Sequence, residues 1–257
     1  MDKIAEYSSS TLDHMAGTFE NQVLARIESL LPEKMERTAE TGCGKSTILF
    51  SNLSEHHTVF CIDDRSDGER SSVRYFESSA LTRRQAIRCV FGPTQLTLPR
   101  YTHTGPYDCV LLDGPHGYPF PELEYYFFYP HLRQGGFLLV DDVQIPSIGR
   151  FADFLQEDEM FEPVELVGTT AVFRRTSAET FSPIGDGWWT QRFNRRRIPA
   201  SSEFYCGDGQ LLTAFHERIG GGPGATRASS SAPSTGRSIV GLGSRVRRAA
   251  RMLLDGS

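Results

Sequence analysis

The chain has 257 residues, 39% of them hydrophobic and 23% charged, and a net charge of -5 from 27 Lys and Arg against 32 Asp and Glu. That composition suits one sizeable α/β domain with extensions and excludes a disordered or fibrous chain. The acidic balance argues against nucleic acid as partner of the main body, and no apolar run approaches the roughly 20 residues of a membrane span.

Residues 1–18 form a polar N-terminal arm without the apolar core of a secretion signal, so a cytoplasmic protein is expected. The five cysteines, at positions 43, 61, 89, 109 and 206, contain no CxxC pair and are expected to be free thiols. In residues 19–31, Val23, Ile27, Leu30 and Leu31 recur at helical spacing and Pro32 ends the run. Apolar strand-like runs then alternate with helix-sized intervals. Residues 58–62 end in Asp63-Asp64, residues 86–91 in Gly92-Pro93, residues 107–112 in Asp113, and residues 137–140 in Asp141-Asp142. Continuous apolar runs of this kind suit a parallel sheet covered on both faces. After a helix over residues 149–156, two β-rich runs flank a Gly168-Thr169 turn and predict a hairpin. The fold class expected is a doubly wound, mostly parallel Rossmann-like α/β sheet with a C-terminal antiparallel hairpin strand.

The domain boundaries follow from composition. Residues 19–176 form the main domain, residues 177–219 a cap with Trp188-Trp189 and a basic run, residues 220–238 a Gly/Ser/Pro-rich linker, and residues 239–257 a basic tail. The tail could form a short amphipathic helix on an anionic membrane or a partner. The aromatic run Tyr125 to Tyr129 is expected to be a helix with one face buried, and no oligomeric state is legible.

The segment Glu40-Thr41-Gly42-Cys43-Gly44-Lys45-Ser46 reads in two ways. From Glu40 it is an acid-x-Gly-x-Gly turn that lets a nucleoside cofactor lie against bare backbone. From Ala39 it is a near Walker A loop, with Lys45 for phosphates, Ser46 for magnesium, and Asp113 or Asp141 as the second acid of a nucleotide hydrolase.

With Asp63 following the turn by about 20 residues and the terminal hairpin in place, residues 19–176 resemble a class I S-adenosylmethionine-dependent methyltransferase. The resemblance implies that Gly42 and Gly44 admit the methionine half, that Glu40 holds its amino group, that Asp63 or Asp64 takes the ribose hydroxyls, and that Gly92 to Thr94 lie beside adenine. Residues 35–39, Met-Glu-Arg-Thr-Ala, depart from the family by being too polar for the buried central strand that should precede the loop.

Transfer of a methyl group to a hydroxyl requires loss of the hydroxyl proton, through a metal or a general base. Asp113, Asp141 and Asp142 resemble the metal triad of catechol-type O-methyltransferases and would suit magnesium, with Asp142 where that family usually has Asn. His116, three residues past Asp113, is the candidate base, and Asp113 is the other candidate catalytic residue. The activity expected is O-methylation of a small molecule or glycan, and a non-catalytic binding module is the remaining alternative.

Overall fold

The structure, a computed structural model, describes residues 19–182 and 191–197. The N-terminal arm, the linker, the basic tail, Trp188-Trp189 and most of the cap lie outside the described residues.

Seven strands make one sheet: β1 (Met35–Thr41), β2 (Ser54–Cys61), β3 (Ile87–Phe91), β4 (Tyr107–Leu112), β5 (Leu132–Val140), β6 (Phe161–Val167) and β7 (Thr170–Arg175). Their order is β3-β2-β1-β4-β5-β7-β6. The first five run parallel, and β7 pairs antiparallel with both β5 and β6. The hairpin closing a parallel sheet is therefore as the sequence predicts. Order reverses between β1 and β4, which makes the carboxyl ends of those two strands the crevice where ligands bind in open α/β sheets.

The helices are α1 (Asn21–Leu30), α2 (Lys45–Leu53), α3 (Ser72–Ser78), α4 (Thr94–Thr97), α5 (Phe120–Phe128), α6 (Pro146–Glu157) and α7 (Arg192–Arg197). On one face of the sheet, Leu24 and Ile27 of α1 and Leu49, Phe50 and Leu53 of α2 pack on Cys109, Leu111, Leu139 and Val172. On the other face, Phe128 of α5 and Ile148, Phe151 and Leu155 of α6 pack on Val110, Leu138 and Phe173. Burying each such Leu, Ile or Phe is worth roughly 1.5–3 kcal/mol, so the two layers supply most of the folding drive. None of the helices among the described residues is long and apolar enough to cross a membrane. Cys43, Cys61, Cys89 and Cys109 are free.

Strand β1 corrects the expectation drawn from its polarity. Residues 35–41 do form a strand beside both β2 and β4, and Thr38, Glu40 and Thr41 are fully buried. Most of the polar groups there have partners supplied by other parts of the chain. The Thr38 hydroxyl lies 2.8 Å from both Ser54 Oγ and His57 Nδ1. The buried Asp108 carboxylate accepts the backbone N–H groups of Glu36 and Arg37 at 2.6 and 2.8 Å and pairs with Arg133 at 2.5 Å. Hydrogen bonding of this kind removes most of the penalty that would otherwise bar polar side chains from a central strand.

Candidate functional site

Sheet register places the site. Thr41 stands opposite Leu112, and Leu112 opposite Val140, so Gly42, Asp113 and Asp141 leave their strands abreast at the same edge. Gly42 has φ +83°, and a Cβ there would lie 2.3 Å from the Asp113 carbonyl oxygen. Only glycine lets the loop after β1 approach β4 that closely. A cavity of about 780 Å³ opens beside it, lined in part by Gly42, Asp64, Asp113, His116, Asp141 and Asp142. Phe19, Gln22 and Val23 at the start of α1 and Val167, Gly168 and Thr169 of the hairpin turn wall its other side. That volume suits a nucleoside cofactor and a small acceptor together.

Asp141 and Asp142 diverge because Asp142 adopts a left-handed conformation, φ 55°. Asp141 turns to the hairpin, where its Oδ1 accepts the Thr170 hydroxyl at 2.6 Å and the Thr169 hydroxyl at 3.3 Å. Asp142 turns to His116, with Oδ2 3.2 Å from Nε2, and Asp113 Oδ1 stands 3.7 Å from the same nitrogen. The group whose donor atoms converge within 4.8 Å is thus Asp113, His116 and Asp142. Of the three acids expected as a metal set, Asp113 and Asp142 belong to this group with His116, and Asp141 faces the hairpin turn.

The electrostatics follow from this packing. Burial, opposed by His116 and reinforced by the charges of Asp141 and Glu40, pushes the Asp113 carboxyl up to about 7. The Asp113 carboxylate raises His116 above the usual imidazole range; partial burial opposes this and Asp142 adds to it. For Asp64, burial alone would raise the carboxyl. Hydrogen bonds from the Ser71 hydroxyl at 2.6 Å and from the N–H groups of Ser72 and Val73 at 2.7 and 3.1 Å outweigh it and hold the group below its ordinary value. Asp64 thereby caps the start of α3 while keeping a place on the cavity wall.

Other residues singled out from the sequence stand elsewhere. Asp63 is half-exposed and paired with Arg65 at 2.9 Å. Glu40 is wholly buried behind the loop: its Oε1 accepts the Thr47 hydroxyl and stands 3.2 Å from His57 Nε2, and its Oε2 has no partner among the described residues. Gly44 donates its N–H to the Thr47 hydroxyl at 2.9 Å, which starts α2. Gly92 donates to the Cys61 carbonyl at 2.9 Å, and Thr94 opens the one-turn α4. None of these five is part of the cavity lining, whereas Cys43, Cys61, Ile62 and Ser72 are, without any signal in their spacing.

The Walker alternative loses its loop. Ala39 to Thr41 belong to β1, leaving three residues, Gly42 to Gly44, as the turn, too few to wrap a triphosphate. The Lys45 ammonium faces the Phe19 carbonyl and Asn21 Oδ1, each at 3.4 Å. A second cavity, of about 820 Å³, lies between α5 and α6. Tyr118, Pro119, Tyr125, Tyr126 and Phe154 line it, and the converging acids and histidine are not part of its wall.

Residues 39–143 match the family model described as a methyltransferase domain. Among solved structures, a Staphylococcus aureus protein provisionally assigned as a caffeoyl-CoA O-methyltransferase superposes with a TM-score of 0.54 at 11% identity, covering 69% of this chain and 93% of that one. A provisionally assigned O-methyltransferase from Klebsiella pneumoniae superposes with a TM-score of 0.51 at 15% identity, covering 69% and 91%. No curated protein matches by sequence. Over residues 39–143 this chain is therefore similar to a methyltransferase domain, and its strand order, with the glycine turn at the switch point, is that of a Rossmann-like α/β fold.

Proposed function

We propose that the enzyme methylates a hydroxyl oxygen of a small-molecule acceptor, with His116 as general base. The observation that carries this is His116 held between Asp142 and Asp113 on the wall of the cavity beside Gly42. With Nε2 turned to both carboxylates, that nitrogen carries the hydrogen, and the tautomer leaves the Nδ1 lone pair to accept a proton. The acceptor O–H gives its proton to Nδ1 while its oxygen bonds to the methyl carbon. When bound, the sulfonium supplies the methyl group, and the breaking C–S bond leaves its electron pair on sulfur. Asp142 and Asp113 stabilise the imidazolium that results. Asp64 stays ionised and available to ribose hydroxyls, because its hydrogen bonds hold it so. The loop at Gly42 and the walls from α1 and the hairpin turn exclude water and hold the reactants in line, which supplies much of the rate.

The lining supports an uncharged or cationic acceptor. It includes Glu20, Asp64, Asp113, Asp141 and Asp142, and no Lys or Arg among the described residues. A phosphate-bearing acceptor would enter against that charge.

A second reading rests on the same three residues. Asp113, His116 and Asp142 offer one nitrogen and two carboxylates to a divalent ion, a set that fits manganese, iron or zinc better than magnesium. An ion there would lower the acceptor hydroxyl pKa as a Lewis acid. Methyl-transfer assays on a panel of phenolic and alcoholic acceptors, with and without EDTA, separate the two: activity that survives chelation and is lost in His116→Gln supports the base, and activity restored only by added metal supports the ion. Binding of S-adenosylhomocysteine without transfer to any acceptor would refute both.

A further inference from the structure

We propose that Glu124, a carboxylate buried inside α5, is a positioning residue for Asp113 and His116, an inference that rests on the methyltransferase reading of that site. Glu124 is 1% exposed and lies under the loop after β4. A Cβ built on Gly114 would fall 2.1 Å from its Oε1, so the loop residue between Asp113 and Pro115 sits directly on the carboxyl group. Its Oε2 accepts the Thr41 hydroxyl at 2.7 Å, and the same hydroxyl oxygen accepts the backbone N–H of Asp113 at 3.0 Å. Thr41 has a single hydroxyl proton. Because its oxygen receives the Asp113 N–H, that proton points to Glu124, and the chain has one direction: Asp113 N–H to Thr41 O–H to Glu124.

The three links come from β1, β4 and α5, elements that meet only in the folded domain. They converge where Gly42 also presses on the Asp113 carbonyl. Asp113 is thereby fixed through its N–H on one side and its carbonyl on the other, and its carboxylate in turn faces His116. A buried carboxylate is an expensive way to fill space, since leucine or methionine packs the same volume without desolvating a charge. What the carboxylate adds is an acceptor of fixed direction for Thr41 and a flat face against Gly114. Gln can supply the same acceptor, and Leu cannot.

The test compares Glu124→Gln, Glu124→Leu and Thr41→Val for methyl transfer, for S-adenosylhomocysteine affinity by calorimetry, and for the ¹⁵N side-chain resonances of His116, assigned with His116→Gln, in the S-adenosylhomocysteine complex. Positioning requires a 30- to 100-fold fall in kcat for Glu124→Leu and Thr41→Val, with S-adenosylhomocysteine affinity and the KM for S-adenosylmethionine within threefold of the parent. It also requires displaced His116 resonances in both variants, and Glu124→Gln close to the parent in every readout. An unmoved His116 resonance and a kcat within threefold in Thr41→Val would overturn the proposal, and this variant decides if Glu124→Leu does not fold. Equal loss of cofactor affinity and activity in all three would also overturn it, by reducing Glu124 to a structural role. Should the parent protein methylate no acceptor, the function reading fails, and the His116 resonances still decide the positioning claim.

Discussion

Replacing Gly42 with alanine perturbs two things at once. The residue sits at φ +83°, where an L side chain costs roughly 1–2 kcal/mol. The new Cβ would stand 2.3 Å from the Asp113 carbonyl oxygen, so β1 and β4 would have to part by nearly an ångström, roughly, at the edge that carries the site. Overpacking of that kind costs about 1–3 kcal/mol, giving about 2–5 kcal/mol in all. Against a typical stability of about 5–15 kcal/mol, Gly42→Ala is expected to fold with a clearly lowered urea midpoint. The same parting moves Asp113 away from the turn, so S-adenosylhomocysteine affinity is expected to fall at least tenfold. Equilibrium unfolding and calorimetry on one preparation read both effects. A midpoint unchanged within about 0.5 kcal/mol, together with unchanged affinity, would refute the close approach and the role drawn from it.

The divergence of the paired acids predicts different consequences for two neighbouring substitutions: Asp142→Asn should lower kcat about 100-fold with little change in stability, and Asp141→Asn should cost about 1 kcal/mol by loosening the Thr169-Thr170 turn and lower kcat far less, read by kinetics and urea melts. Arg175, 2% exposed, donates to the carbonyls of Met160, Thr176 and Ala178 and to the Thr180 hydroxyl, so Arg175→Met should destabilise by about 3 kcal/mol, seen as a shifted unfolding midpoint. His103 stacks on His131 with ring centroids 4.0 Å apart; burial, and then the His131 charge, hold its imidazole down at about 4. Because the unfolded chain binds that proton near pH 6.5, the contribution is fully present above pH 6.5 and is lost as pH falls toward 4. It amounts to about 1–2 kcal/mol once solvent screening of the half-exposed ring is allowed for. Unfolding midpoints at pH 7.5 and 5.0 should show this loss in the parent and a smaller one in His103→Phe.

The strands from β2 to β5 and the terminal hairpin were legible because each is an apolar run bounded by acids, glycine or proline. β1 was not, because its acceptability in the core depends on Ser54, His57, Asp108 and Glu124, partners 16 to 83 residues away that no local period can announce. At the site, Asp113 and His116 were visible as neighbours on one loop. The divergence of Asp141 from Asp142 was not, since it turns on the left-handed backbone at Asp142. Likewise Asp64, rather than Asp63, reaches the cavity because Ser71 and Ser72 begin a helix that captures its carboxylate, and that short α3 carries too few residues to show a helical period.

On the proposed function, the crevice beside Gly42 binds S-adenosylmethionine and its product. Calorimetric titration of the protein with S-adenosylhomocysteine, alongside magnesium-ATP, tests it most directly. Micromolar binding of S-adenosylhomocysteine is expected, weakened at least tenfold in Gly42→Ala, with no binding of ATP. Binding of magnesium-ATP alone, lost in Lys45→Ala, would contradict it.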